Sequence, residues 1–308
     1  MSKFHGIIPP LVTPLLDNET LDIEGLECLI EHVISGGVHG IFILGTTGEA
    51  QSLSYELRVK MIRETARIIR KRLPLLVGIS DTSLADSVRL SACAKECNAD
   101  AVVSAPPYYY ATGQPELAEF YEILVDQVNL PIFLYNMPAH TKVSFAPSTI
   151  CRIAKNPKVI GFKDSSANGA YFQEVMYEMR DHSDFSIFVG PEEMMAEVVL
   201  LGASGGVNGG ANMFPKLYVD LYNAAVAANL GEVKRLQRIV MQICSTVYTQ
   251  GSYGSSYLKG LKCSLGILGI CSDVLASPFN KFDYLVAQFL SGFFITIIIT
   301  FSVGLAFI

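Results

Sequence analysis

The residue in this chain best suited to covalent chemistry is Lys163, which stands at the downstream end of the apolar run 159–162. Removing an ammonium group from water costs free energy, so a lysine at the end of a buried strand needs an explanation. Desolvation favours the neutral amine of a lysine, and a neutral amine is a nucleophile toward carbonyl carbon. Its position therefore makes Lys163 a candidate Schiff-base lysine. The alternative is a lysine that is ion-paired or reaches solvent along its own stem.

A second apolar run, 130–134, ends at Tyr135, which is the candidate for moving protons near that amine. If the two runs form adjacent strands, the ring of Tyr135 would lie close to Lys163. A phenol can pass protons to and from the carbinolamine that precedes an imine. We therefore interpret Tyr135 as a candidate general acid and base. The alternative is a core tyrosine whose hydroxyl is satisfied by a hydrogen bond.

A glycine-flanked turn at residues 45–49 is a candidate anion site. Its two hydroxyls, on Thr46 and Thr47, lie among backbone N–H groups that the flanking glycines leave accessible. Such a nest suits a carboxylate or a phosphate. A nucleotide-binding Walker loop is excluded, because no Gly-Lys-Ser/Thr ends the turn. The alternative is a tight strand-to-helix turn without a ligand.

Further candidates are less specific. Glu192 and Glu193 follow a predicted strand, and we interpret them as acceptors for substrate hydroxyls, with the acidic first turn of a helix as the alternative. His140 is a lone histidine in a predicted loop, where a solvated residue is the alternative. Tyr109 lies in a run of three tyrosines, of which at least one is predicted to be exposed, at a subunit boundary. The alternative for that run is packing.

These candidates follow elements that alternate regularly along the chain. Apolar runs without period-two alternation, as expected for strands buried on both faces, alternate with helical patterns. The pattern predicts an α/β (β/α)8 barrel with extra C-terminal helices, in which the carboxyl ends of the strands carry the site. A doubly wound open sheet is the alternative, but no Gly-x-Gly-x-x-Gly follows the first run. The predicted strands are 6–12, 40–45, 73–80, 101–106, 130–136, 159–163, 185–190 and 205–207.

Composition limits the class of partner. Half of the 308 residues are hydrophobic and 17% are charged, which permits a large core, and the net charge of −6 disfavours nucleic acid as a partner. The seven cysteines are odd in number and scattered, which favours a reducing, cytoplasmic location. Cys93 and Cys97 lie one helical turn apart without a second ligand pair, so we interpret them as packing thiols and predict no metal site.

Three motifs together resemble the N-acetylneuraminate lyase and dihydrodipicolinate synthase superfamily of class I aldolases. The resemblance covers about residues 5–282, and the motifs stand in the expected order and spacing. They are Gly45-Thr46-Thr47-Gly48-Glu49, Tyr135-Asn136-Met137-Pro138 and Gly161-Phe162-Lys163-Asp164-Ser165-Ser166.

The resemblance implies a role for each matching residue. Lys163 would form a Schiff base with pyruvate or another 2-oxo acid, and Tyr135 would relay protons. No metal or other cofactor is implied, because the protonated imine is itself the electron sink. The expected partners are small molecules and further copies of the chain in a homotetramer. Thr46 and Thr47 would hold the carboxylate, Tyr109 would reach a neighbouring subunit's site, and Gly190 and Val207 would line the pocket.

Two departures bear on the substrate. Dihydrodipicolinate synthases carry an arginine that grips the second substrate's carboxylate, and the matching position here is His140, which lacks that bidentate fork. The segment 190–193 resembles the acidic motif with which neuraminate lyases hold sugar hydroxyls, although the serine that completes their pattern is replaced by Gly209. These features favour a 2-keto-3-deoxy sugar acid cleaved to pyruvate and an aldehyde. The alternatives are a dihydrodipicolinate synthase, which condenses pyruvate with aspartate semialdehyde, and a non-catalytic barrel protein.

We predict three regions: a catalytic barrel at 1–228, a helical extension at 229–283 and an apolar tail at 284–308. The tail has no charged residue and is long enough to span a bilayer. It could be a membrane anchor, a buried or oligomer-contact helix, or a segment that is not the natural end of the domain. We favour the third interpretation, because the resembling proteins close with a charged amphipathic helix and charge stops abruptly here after residue 283.

Overall fold

Eight short parallel strands form the centre of the molecule. The computed structural model describes the backbone of residues 4–304 and the side chains of residues 4–295. Every predicted apolar run coincides with a strand. Seven of the strands are shorter than their runs, and β6 extends one residue beyond its run, to Asp164. The strands are β1 (Gly6–Ile7), β2 (Ile41–Ile43), β3 (Leu75–Gly78), β4 (Ala101–Ser104), β5 (Ile132–Asn136), β6 (Val159–Asp164), β7 (Ser186–Val189) and β8 (Gly205–Gly206).

The sheet closes on itself. Its strand order is β1-β8-β7-β6-β5-β4-β3-β2, so the first and last strands are neighbours. The remaining gap is closed by a parallel bridge between Pro10 and Phe42, where the Leu11 N–H donates to the Phe42 carbonyl at 2.8 Å. The predicted (β/α)8 barrel is therefore confirmed, and the open doubly wound sheet is excluded.

Helices follow the strands and cover the outside of the barrel. Several helices begin after a residue that can cap them. Ser54, for example, accepts a hydrogen bond from the Leu57 N–H at 3.2 Å and caps the second helix. The helices are α1 (Ile23–Ser35), α2 (Tyr55–Ile69), α3 (Leu84–Glu96), α4 (Gln114–Gln127), α5 (Pro138–Thr141), α6 (Pro147–Ile153), α7 (Gly169–Glu178), α8 (Met195–Leu200), α9 (Pro215–Val226), α10 (Leu230–Val247), α11 (Ser256–Ile267) and α12 (Tyr284–Gly304).

Two hydrophobic layers result from the alternation of side chains along each strand. The larger layer lies between strands and helices, and Phe162 of β6 belongs to it. The smaller layer fills the barrel interior and includes Phe42, Phe133, Tyr135 and Phe188. Complete burial of one such side chain contributes about 1.5–3 kcal/mol. The inner layer forms the floor beneath the carboxyl ends of the strands.

The C-terminal helices continue from the barrel. Helix α10 lies against α9, α11 lies against α10, and α12 contacts α11. Within α12, Leu290 and Phe294 are buried, and the Phe294 ring lies 5.7 Å from that of Phe214. The described part of the predicted tail is thus a helix that packs on the domain. Among the residues with a described placement, no helix has both the length and the hydropathy that a membrane span requires, so the alternative of a membrane anchor receives no support.

Candidate active site

Lys163 and Tyr135 meet inside the barrel. They are register partners on β6 and β5, and both side chains are buried, Lys163 with 6% of its surface exposed. The Lys163 Nζ lies 4.1 Å from the centre of the Tyr135 ring and 5.3 Å from that of Phe42. No carboxylate within the described residues forms an ion pair with this amine. In the described part of the chain, Lys163 therefore neither reaches solvent nor forms an ion pair, which were the two alternatives to a Schiff-base lysine.

The neighbouring carboxylate, Asp164, is engaged elsewhere. Its Oδ1 accepts hydrogen bonds from the Asn136 Nδ2 at 2.8 Å and the Ser166 N–H at 3.1 Å, and its Oδ2 accepts one from the Ser166 hydroxyl. Burial raises the pKa of Asp164, and the hydrogen bonds from Asn136 and Ser166 oppose that shift. Asp164 therefore stabilises the end of β6 through these hydrogen bonds and does not form an ion pair with the Lys163 amine.

The glycine-flanked turn lies against Tyr135. The Thr46 hydroxyl is 3.1 Å from the Tyr135 hydroxyl, and the Thr47 hydroxyl is 3.2 Å from that of Tyr257 in α11. Within the described part of the chain, the backbone N–H groups of Thr46 and Thr47 have no hydrogen-bond acceptor. Two hydroxyls and two unoccupied N–H groups in one turn can together bind a carboxylate.

A buried ion pair anchors the far end of this turn. Glu49 adopts a φ of 57°, in the left-handed region that costs energy for a residue with a side chain. Its carboxylate pairs with the Lys262 ammonium and accepts a hydrogen bond from the Ala276 N–H at 2.8 Å. Lys262 also donates to the Val274 carbonyl at 2.6 Å. Burial lowers the pKa of Lys262, and the Glu49 charge opposes this shift. The C-terminal extension thereby fixes the conformation of the turn.

A cavity of about 360 Å³ opens above these residues. Phe42, Thr46 and Tyr135 line it, so the Lys163 amine lies on the rings of two lining residues, although Lys163 itself does not line it. Of the described residues that line the cavity, none is an arginine or a lysine, and the acidic one is the ion-paired Glu49. The polar wall is made of neutral groups: Gln51, Ser52, Ser80, Tyr108, Thr141 and Ser255.

His140 lies at the exposed rim of the cavity, in the short helix α5. Partial burial lowers the pKa of its imidazole, and the positive charge of Lys142 lowers it further. The imidazole is therefore neutral at neutral pH. It offers the cavity a hydrogen-bonding group rather than a fixed cation.

The other predicted site residues lie away from the cavity lining. Val207 belongs to the cluster in the barrel interior, and the Gly190 carbonyl accepts a hydrogen bond from Asn208 at 2.9 Å. Glu193 is exposed on the surface. Tyr109 is 81% exposed in the protomer. Its ring packs edge to face on that of Tyr110, with the ring centres 5.1 Å apart.

Glu192 is buried in a cluster of its own. Its carboxylate accepts hydrogen bonds from the Tyr218 hydroxyl, from the Tyr248 hydroxyl at 3.0 Å and from the Gly210 N–H at 2.6 Å. Burial raises the pKa of Glu192, and these hydrogen bonds oppose the shift. Its oxygens are occupied by protein donors, so its position gives no support to the predicted contact with substrate hydroxyls.

Sequence reasoning missed the part of the cavity wall that comes from the C-terminal extension. Ser255, Tyr257, Leu258 and Phe279 line the cavity, yet none belongs to a motif near the candidate residues. Tyr108 also lines the cavity, and nothing in the sequence indicates which of the three adjacent tyrosines faces it. No local signal in one sequence identifies such residues, because they reach the site through tertiary packing.

Comparison with known proteins identifies the family of the chain. The family model described as "Dihydrodipicolinate synthetase family" matches residues 3–284. A 4-hydroxy-tetrahydrodipicolinate synthase of Methanoculleus marisnigri is 32% identical over 91% of this chain and 94% of its own. An Escherichia coli protein named probable 2-dehydro-3-deoxy-D-pentonate aldolase is 29% identical over 85% of this chain and 88% of its own.

A solved structure is closer still. The dihydrodipicolinate synthase of Bacteroides thetaiotaomicron is 67% identical, with a TM-score of 0.92 over 94% of this chain and 97% of that chain. Both the family model and these relatives span nearly the whole barrel and its extension. The chain belongs to the dihydrodipicolinate synthetase family, whose members are pyruvate-dependent class I lyases and aldolases that work through a lysine imine without an external cofactor.

Proposed function

We propose that this protein cleaves a 2-keto-3-deoxy sugar acid to pyruvate and an aldehyde, and that Lys163 is the lysine that forms the imine. The observation that carries the proposal is the buried Lys163 amine, which lies 4.1 Å from the centre of the Tyr135 ring. A desolvated amine next to a phenol can attack a keto carbon, and the phenol can donate and accept the protons that move during imine formation.

In this mechanism the neutral Lys163 amine adds to the keto carbon of the substrate and forms a carbon–nitrogen bond. The keto oxygen takes one proton from the attacking amine and one from the Tyr135 hydroxyl and leaves as water, which produces a protonated imine and leaves Tyr135 able to accept a proton. Tyr135 then removes the proton from the hydroxyl on the carbon to be released. The bond between that carbon and the pyruvate portion breaks, and its electron pair moves into the imine to give an enamine. Protonation of the enamine carbon and hydrolysis of the imine release pyruvate and restore the amine.

The turn at Thr46 and Thr47 supports this chemistry from two sides. Its hydroxyls and unoccupied N–H groups would hold the carboxylate next to the keto carbon. The contact of 3.1 Å between the Thr46 and Tyr135 hydroxyls would also give the Tyr135 proton a partner during transfer. Substrate orientation and proton transfer would therefore depend on the same turn.

The neutral wall of the cavity supports a sugar-acid substrate. Hydroxyl, amide and imidazole groups can hydrogen-bond to the hydroxyls of a released aldehyde. Aspartate semialdehyde carries a second carboxylate, for which an arginine fork is the best protein partner. The described lining residues include no arginine or lysine, and His140 occupies the position that would offer that fork. The name of the Escherichia coli relative, a pentonate aldolase, agrees with this reading.

A second candidate is dihydrodipicolinate synthesis from pyruvate and aspartate semialdehyde. It is favoured by the name of the Bacteroides thetaiotaomicron protein, which is 67% identical to this chain. The carboxylate of the semialdehyde would then be bound by neutral groups, or by groups of another protomer. We therefore keep this reaction as the direct competitor in the assay.

We also propose a homotetramer in the cytoplasm. The exposed side chain of Tyr109, on the loop that follows β4, is free in the protomer to reach a neighbouring copy. The unpaired state of all seven cysteines is compatible with a reducing compartment. Sedimentation velocity of the purified chain measures the oligomeric state directly.

The test of substrate class compares two reactions of the same enzyme. Pyruvate release is measured from 2-keto-3-deoxygluconate and from 2-keto-3-deoxypentonates, and condensation is measured with pyruvate and aspartate semialdehyde. We expect kcat/KM for at least one sugar acid to exceed that for the semialdehyde. A higher kcat/KM for the semialdehyde would assign the protein to dihydrodipicolinate synthesis instead.

A further inference from the structure

Helix α11 holds the turn at 45–49 at two points. Tyr257, near the start of the helix, contacts Thr47 through the two hydroxyls at 3.2 Å. Lys262, five residues later, pairs with Glu49 inside the protein, where both side chains are almost fully excluded from solvent. A helix from outside the barrel thus fixes both the middle and the end of the candidate carboxylate site.

The hydroxyl of Tyr257 occupies a space that a glycine leaves open. A Cβ atom on Gly209 would lie 1.7 Å from this hydroxyl, so a larger residue at position 209 would displace it. The Tyr257 ring packs edge to face on Tyr248, with ring centres 4.7 Å apart. Tyr257 lines the cavity, and its ring is confined from two sides. Its hydroxyl is thereby directed toward Thr47, which lies behind the lining residues.

The Tyr257 hydroxyl stays protonated and can therefore donate a hydrogen bond. Burial raises the pKa of Tyr257 far above its usual range, and the Glu192 charge raises it further, so the phenol keeps its proton at any working pH. Either hydroxyl could donate across this contact, but a phenol is a stronger hydrogen-bond donor than an alcohol, so we assign the donor role to Tyr257 and the acceptor role to the Thr47 oxygen. The Thr47 proton is then available to a ligand. Hydrogen bonds in such a chain strengthen one another.

We infer that Tyr257 is a positioning residue of the carboxylate site: it orients the Thr47 hydroxyl toward the carboxylate of the 2-oxo acid. This inference rests on the proposed imine chemistry. It adds that carboxylate binding also requires the hydroxyl of Tyr257, which belongs to helix α11 outside the barrel. The C-terminal extension becomes a working part of the site, because it supplies the group that sets the direction of a substrate-binding hydroxyl.

The first test is Tyr257→Phe, which removes the donor and keeps the ring. We expect KM for the 2-oxo acid to rise roughly three- to tenfold, as for the loss of one hydrogen bond, with kcat within about twofold of wild type. Tyr253→Phe is the matched control: it lies four residues earlier, is 83% exposed and should leave both constants unchanged. An unchanged KM in Tyr257→Phe, or a fall in kcat alone, overturns the inference.

The second test reaches the same contact from the other side. Gly209→Ala places a methyl group where the Tyr257 hydroxyl lies, and we expect it to raise KM as Tyr257→Phe does. In the Tyr257→Phe background the same substitution should raise KM less, because the contact is already lost. If either single variant does not fold, as judged by circular dichroism, the other decides the question. Fully additive effects of the two substitutions contradict the inference.

Failure of this inference can be told apart from failure of the proposed function. Borohydride trapping of pyruvate on the wild-type chain reports the imine alone. If wild type traps pyruvate and Tyr257→Phe shows the same dependence on pyruvate concentration, the imine chemistry stands and the role of Tyr257 is wrong. If wild type traps nothing, the proposed function itself is wrong.

Discussion

Lys163 and Tyr135 face each other across two neighbouring parallel strands, with the Lys163 Nζ 4.1 Å from the centre of the Tyr135 ring. The Tyr135 hydroxyl in turn lies 3.1 Å from that of Thr46. The proposed nucleophile, proton carrier and carboxylate ligand thus come from three separate strand ends of one barrel. Such an arrangement is rigid because each residue is fixed by the register of the sheet or by a short turn next to it.

The hydroxyl of Tyr135 should matter for turnover more than for binding. We expect Tyr135→Phe to lower kcat by about a hundredfold or more, as for the loss of a general acid and base, with a much smaller change in KM. Steady-state cleavage assays measure both constants. Tyr121→Phe is the control, since that buried hydroxyl bonds the Ser104 carbonyl outside the cavity and its loss should affect stability alone. Equal losses of kcat in the two variants would count against the role of Tyr135.

A fixed cation at position 140 should change which aldehyde the enzyme prefers. We expect His140→Arg to raise the ratio of kcat/KM for aspartate semialdehyde to kcat/KM for the sugar acid by about tenfold or more, because a charge-assisted pair then meets the second carboxylate. His140→Gln, which stays neutral, should leave the ratio near its wild-type value. No change in the ratio for His140→Arg would show that this rim position does not contact the aldehyde portion.

The buried carboxyl of Glu192 should make stability depend on pH. Burial raises its pKa above the unfolded value, so the folded state holds the proton more tightly and the chain loses stability as pH rises through the folded pKa. Glu192→Gln keeps the shape and cannot ionise. We expect its melting temperature to exceed that of wild type by an amount that grows from pH 5 to pH 8, measured by differential scanning calorimetry. A difference that shrinks over this range would contradict the burial argument.

Removing one partner of the ion pair between Glu49 and Lys262 should lower the free energy of unfolding. Lys262→Met leaves a buried carboxylate without its partner, and we expect a loss of about 3–5 kcal/mol in the free energy of unfolding. The double variant Glu49→Gln, Lys262→Met should recover part of that loss. Urea denaturation measures both values. Lys216→Met, which removes one side of an exposed pair with Asp220, is the control and should leave the midpoint close to wild type.

Much of this site could be predicted from the sequence because its signals are local. Lys163, Tyr135 and Thr46 each end or follow an apolar run, and the carboxyl ends of parallel strands converge by the geometry of the barrel. The strand runs themselves were recognised by apolar composition. Except at β6, the predicted runs extend beyond the strands, because residues such as Leu11 and Val12 are buried whether or not they belong to a strand.

The remaining features depend on contacts that sequence spacing does not encode. Tyr257 and Lys262 reach the turn at 45–49 from about 210 positions further along the chain. Glu192 looked like a ligand for sugar hydroxyls because it follows a strand, yet Tyr218 and Tyr248 take up its oxygens. Only tertiary packing decides whether an acidic residue at a strand end faces the cavity or the space between helices.

The most direct measurement of the central claim is borohydride reduction of the full chain with saturating pyruvate, followed by peptide mass spectrometry. The account predicts one stable pyruvate adduct, located on Lys163 and absent from Lys163→Ala. Lys262, which among the described lysines is the other one buried to a similar degree, serves as the internal comparison and should stay unmodified. No adduct at all, or an adduct on a lysine other than Lys163, would contradict the account.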